Sequence, residues 1–225
     1  GAGGAATGAA RAAGLHLDGK EHGRRVGGGA ANTAIPLAFA GHDVVVVSAA
    51  GTDADGGTIL RRLAEAGVDT SQVARLPGPS TRSLVLVDPA GERTVVNLHR
   101  CREGGPLRRL RTVPADAIYV RSRELDLARI LAERLDSALV VAHVPPVVAG
   151  ARPAHVLVAS ASDLSPEEGE RPWDVLRRAG GETVRHVVVT RGAAGAEAHA
   201  SDGRLRVPAR EAASVDSTGA GDVFA

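Results

Sequence analysis

One acid, Asp222, closes a run of small residues, Asp216-Ser217-Thr218-Gly219-Ala220-Gly221, and opens a helical pattern that runs to the last of 225 residues. A small-residue turn into a helix leaves the first backbone N–H groups without intrahelical partners, aimed outward with the positive end of the helix dipole. Such a turn takes an anion, and the amides of Gly219, Ala220 and Gly221 form the candidate anion hole. A carboxylate just inside that helix repels an anion unless it handles a proton, so Asp222 is a candidate general base. A Ser/Thr-capped helix with an acidic first turn fits the same letters, and pattern alone does not separate the two readings.

Two further glycine clusters could meet a ligand. Gly27-Gly28-Gly29-Ala30-Ala31-Asn32 runs into a helical stretch, Thr33 to Ala40, that holds Pro36. Small residues followed by an amide suit a polyhydroxylated ligand, because Asn both donates and accepts; a flexible turn with Asn32 as N-cap is the plainer alternative. Thr190-Arg191-Gly192-Ala193-Ala194-Gly195 follows the apolar run Val187 to Val189. Ligands of open α/β sheets gather beyond the carboxyl ends of strands, which places Thr190 and Gly192 to touch a nucleotide; an ordinary strand-to-strand turn competes. Other constellations fall away. Asp53-Ala54-Asp55-Gly56 starts like a calcium loop, but its Gly comes too early and Ala64 stands where the closing Glu belongs. The eight histidines lack metal-helix spacing, Ser217 has no nucleophile elbow, and Cys101 has no partnering motif.

Alternating elements must position these clusters. Val44 to Ser48 is an apolar run suited to a strand buried on both faces, and Thr58 to Ala66 carries Ile59, Leu60 and Leu63 on one helical stripe. Ser83 to Val87 and Glu92 to Asn97, joined by Asp88-Pro89-Ala90-Gly91, predict a hairpin. Then come a strand at Ala117 to Val120, a helix at Glu124 to Asp136, strands at Ala138 to Ala142 and Val156 to Ala159, a helix at Pro172 to Ala179 and a strand at Arg185 to Thr190. That alternation predicts an α/β fold with a parallel or mostly parallel sheet flanked by helices. A formal charge of +1 provides no field for a polyanion, so nucleic acid is excluded as a partner, and no apolar run reaches membrane-spanning length. One cysteine among 225 residues fits a reducing, cytoplasmic compartment.

Taken together and in order, these stretches resemble the ribokinase-like carbohydrate kinases of the PfkB family. Gly27 to Asn32, Gly51 to Gly56, the hairpin ending in Glu92-Arg93-Thr94-Val95, Thr190 to Gly195 and Asp216 to Asp222 carry the likeness across roughly residues 15 to 225. The resemblance implies a Rossmann-like domain with a small β lid near 15–26 and 82–98. It implies ATP-dependent, Mg²⁺-assisted phosphorylation of a sugar or nucleoside hydroxyl. Asp222 matches the catalytic base and also meets the substrate, and Gly219, Ala220 and Gly221 match the anion hole. Gly28 and Asn32 match substrate-binding positions, and Thr190, Gly192, Gly195 and Ser160 match nucleotide positions. It further implies a possible homodimer through the lid.

Where the family has Asn-x-x-Glu after a strand, this chain offers Ser160-Ala161-Ser162-Asp163, so Asp163 becomes an indirect metal position with a shorter reach. A Gly/Ala leader at 1–14 stands in place of the first strand and of the substrate-gripping Asp expected there. The pattern also stops at Ala225, before the catalytic helix, the adenine wall and the last sheet edge are complete. The expectation is one incomplete kinase domain at 15–225, its C-terminal part missing. The alternative is a truncated non-catalytic relative that binds sugar or nucleotide weakly. The choice of acceptor is left open.

Overall fold

A computed structural model describes residues 20–21, 23–87, 93–102, 105–210 and 219–224. The leader, half of the first expected lid segment (15–19 and 22), the hairpin turn at 88–92 and Asp216 to Thr218 lie outside the described residues.

Helix α1 (Gly29–Phe39) follows Gly28, whose φ of +94° is a conformation that favours glycine. It buries Ala31 and Ala34 against Val46, Leu63 and Val68 in a small core. β1 (Ser48–Gly51), α2 (Ala54–Glu65) and β2 (Val73–Leu76) form a parallel crossover unit, with Ser48 opposite Val73 and Gly51 opposite Leu76. The strand expected at Val44 to Ser48 is therefore displaced toward the C-terminus. Val44 and Val46 do pack into the small core, but Val45 is exposed and makes only an isolated bridge to Asp69. The run is not buried on both faces, and its continuous Val pattern gave the wrong register.

α2 starts earlier than its apolar stripe suggests because Asp53 caps it, Oδ1 accepting from Gly56 N at 2.9 Å. Asp53 also accepts from the Ser80 hydroxyl at 2.6 Å and from Ser80 N at 3.0 Å. Those Ser80 bonds, with the one from Gly56, hold its carboxyl down to about 2. The contact ties the cap to the entry of an antiparallel hairpin, β3 (Arg82–Val87) with β4 (Arg93–His99). Both faces of this hairpin are exposed although they carry Leu84, Val85, Leu86, Val87, Val95, Val96 and Leu98.

The main sheet is β5 (Ala117–Val120), β6 (Leu139–Val144), β7 (Val156–Ser160) and β8 (His186–Thr190), all parallel, continued by antiparallel β9 (Ala196–Ala200) and β10 (Gly203–Val207). Val120, Ala142, Leu157 and Val187 line up across its register on one face. Helices α3 (Leu127–Arg134) and α5 (Pro172–Gly180) cover that face with Leu127, Ile130, Leu131, Leu176 and Ala179; a short α4 (Pro166–Glu170) precedes α5. Leu157 is fully buried there, and truncating such a side chain to Ala costs about 2–5 kcal/mol. Alternation sends Tyr119, Val141 and His143 to the opposite face. Arg152, also fully buried, donates to the carbonyls of Ser122 at 2.6 Å and Glu124 at 3.0 Å, pinning the chain that leaves β5.

Candidate functional site

Asp222 lies in the short helix α6 (Ala220–Phe224), which meets the N-terminal part of α1. Gly219 precedes it with φ +80°, and a Cβ there would come within 2.9 Å of Asn32 Nδ2, so glycine permits the approach of the two segments. Asn32 Nδ2 donates to Asp222 Oδ2 at 2.9 Å, and the Thr33 hydroxyl donates to the Asp222 carbonyl at 2.7 Å. Arg121 Nε donates to Oδ1 at 2.7 Å from the end of β5. Both carboxylate oxygens are thus engaged, and the side chain is 13% exposed. Gly28 stands at the start of α1, its carbonyl accepting from Asn32 N. The structure therefore brings together Gly28, Asn32, Gly219 and Asp222.

Arg121 was not foreseen. Its signal is positional: it follows Ala117 to Val120, at the carboxyl end of a parallel strand where ligands collect. Room for it is made by Gly29, where a Cβ would stand 2.0 Å from Arg121 Cγ.

Beneath this cluster, Tyr119 and His143 occupy the second face of the sheet. Burial pushes the Tyr119 phenol up to about 12, and its hydroxyl lies near Thr33 without a well-formed hydrogen bond. Burial pushes His143 down to about 4, helped by Arg121 and opposed by Asp163 and Asp222. Its Nδ1 is buried without a partner among the described residues. A neutral imidazole is the expected form at pH 7.

The expected nucleotide side is built differently. Ser160 and Thr190 are paired neighbours at the ends of β7 and β8. The Thr190 hydroxyl donates to Ala159 O at 3.4 Å, and the Ser160 and Ser162 hydroxyls are 2.8 Å apart. Gly192 has φ +54° and Gly195 +92°, and a Cβ on Gly195 would come within 2.0 Å of Val207 O. Behind this turn Arg191 bonds Glu197 at 3.1 Å and donates to the Gly169 carbonyl. Burial pushes the Glu197 carboxyl up, but Arg191, Arg206 and His199 outweigh that and hold it below its ordinary value. Asp163 is exposed on a 3-10 turn after β7. Among the described residues no group of three or more His, Cys, Asp or Glu could hold a metal ion, and no helix is long and apolar enough to cross a membrane. Two surface clefts, one beside Trp173 and Arg177 and one beside Val147 and Glu168, include none of these residues.

The sequence model described as "pfkB family carbohydrate kinase" matches residues 5–100 and 144–225. An ATP-dependent ribose-1-phosphate kinase from Halopiger xanaduensis is 32% identical over 210 residues, covering 88% of this chain and 70% of the relative. A nucleoside kinase from Burkholderia thailandensis, solved with inosine, has a TM-score of 0.73 at 21% identity, covering 93% of this chain and 73% of that one. A fructokinase from Xylella fastidiosa, solved with bound ATP, has a TM-score of 0.70 at 20% identity, covering 88% and 70%. Tyr119, Arg121 and His143 all lie in the segment between the two matched stretches.

Proposed function

The chain belongs to the pfkB family of carbohydrate kinases and is an ATP-dependent kinase of a sugar or nucleoside hydroxyl, and we propose that Asp222 is the base that takes the acceptor proton. The observation that carries this reading is the contact of Asn32, from the glycine cluster that opens α1, with the Asp222 carboxylate at the start of α6. Phosphoryl transfer asks little covalent chemistry of a protein, so positioning and charge stabilisation govern the rate. Asn32 holds one carboxylate oxygen and its amide can turn a sugar hydroxyl toward the other, with Gly28 letting the acceptor approach the backbone. Amides of Gly219, Ala220 and Gly221 stabilise the transferred group. Ser160, Thr190, Gly192 and Gly195 receive the nucleotide at the strand ends. Mg²⁺ would bind chiefly through nucleotide phosphates and water, with Asp163, exposed on the turn after β7, as an indirect contact, and would neutralise phosphate charge when bound. The single cysteine is consistent with a cytoplasmic setting.

Asp222→Asn keeps the size of the side chain and removes the base. ATP-dependent phosphorylation across a panel of sugars, sugar phosphates and nucleosides should fall by about 10²–10⁴-fold. Retained turnover sinks the assignment. The hairpin β3–β4 further supports a lid that pairs with a second copy, since one of its two apolar faces can cover the acceptor while the other needs a partner. Sedimentation should then give a dimer that Leu84→Lys with Leu86→Lys or Val85→Lys with Val87→Lys dissociates; a wild-type monomer removes this part of the reading.

A further inference from the structure

General-base catalysis on a neutral sugar does not call for Arg121. A base must offer an oxygen lone pair to the acceptor hydroxyl, yet Arg121 Nε engages Oδ1 at 2.7 Å while Asn32 engages Oδ2 at 2.9 Å. The contact is built rather than incidental. The Arg121 stem crosses Gly29 in a space that a Cβ on Gly29 would fill, and the carbonyls of Ser122 and Glu124 just beyond it are bonded by the buried Arg152. Among the described residues only Nε of the guanidinium is engaged, which leaves both terminal nitrogens without a protein partner, on a side chain that is 28% exposed. Arg121 also lies outside the stretches that match the family.

A ligand can move the guanidinium off Asp222 only by binding it better than Asp222 does. Sugar hydroxyls do not replace a charge-assisted bond, and a monoanionic carboxylate only equals the one already present. A phosphate carries about −1.5 to −2 charges and presents oxygens that match the planar fork bidentately. We propose that Arg121 selects the acceptor: its terminal nitrogens take the phosphate of a sugar phosphate, and in doing so release Asp222 Oδ1 to the hydroxyl that is phosphorylated. The proposal rests on the reading of Asp222 as base and adds the charge of the acceptor.

Titration calorimetry without ATP separates this inference from turnover. Pentose and hexose monophosphates, their parent sugars and the corresponding sugar acids are titrated into the wild-type chain, Arg121→Ala and Arg121→Lys, with folding checked by circular dichroism. The wild type should bind at least one monophosphate about a hundredfold more tightly than its parent sugar, and Arg121→Ala should reduce that ratio to within a few-fold. Should the alanine variant not fold, Arg121→Lys keeps the charge without the fork and should lose about tenfold of the ratio. Parent sugars or sugar acids that bind the wild type as tightly as monophosphates overturn the proposal, as does an unchanged ratio in either folded variant. Turnover retained by Asp222→Asn would instead break the base assignment and leave these ratios as measured.

Discussion

Around Asp222, side chains from three elements converge: Asn32 and Thr33 from α1, Arg121 from the end of β5, and the carboxylate itself from α6. At the ends of β7 and β8 the proposed nucleotide side has neutral hydroxyls and two positive-φ glycines, and its charges, Arg191 against Glu197, are spent within the protein. One half of the proposed site is specified by side-chain chemistry drawn from distant parts of the chain. The other is specified by backbone shape. Side-chain truncation should therefore damage the first half far more than the second, whereas replacing a positive-φ glycine should damage the second.

The largest expected difference follows from that contrast. Asn32→Ala removes the side-chain amide that, among the described residues, holds Asp222 Oδ2, letting the proposed base drift, and a misplacement near 1 Å costs about a hundredfold in turnover. Ser160→Ala removes a hydroxyl whose partner is the neighbouring Ser162, and should raise KM for ATP by less than about tenfold. Steady-state kinetics with ATP and the best acceptor measures both. Equal losses would mean that the nucleotide side depends on its side chains after all, and the contrast would fail.

Much of this division was legible in the letters. Short apolar runs located β5, β7 and β8 to within a residue because strands with one face buried and the other half-buried need little polar alternation. Asn32, Gly219 and Asp222 were singled out for facing a ligand, whereas their contact with one another, across 190 residues of chain, has no local pattern. β9, Ala-Glu-Ala-His-Ala, was not: alanine has weak strand preference, and the segment is extended because the edge of β8 offers it a ladder. The Val44 to Ser48 run misled because one face of it meets solvent at Val45. Arg121 was missed for a different reason. Its partner is 101 residues away, and no local pattern records a contact made by topology.

His143 tests the ground under the acceptor half with the smallest expected effect. It is 6% exposed, and Arg121, Arg123, Asp163 and Asp222 act on it, the arginines disfavouring its charge and the carboxylates favouring it. Burial wins, and its pKa is lowered to about 4 from an ordinary 6.5. The unfolded chain therefore binds this proton first as pH falls. Stability from the neutral imidazole is fully present above pH 6.5, declines below it, and is exhausted near pH 4, a loss on the order of 3 kcal/mol. His143→Asn fills a similar volume and cannot titrate, so its urea midpoint should change less than that of the wild type between pH 6.5 and 4.5, the window above most carboxylate titration. Parallel profiles for the two proteins would show that His143 takes up its proton without leaving the fold, and that solvent reaches the floor beneath Asp222.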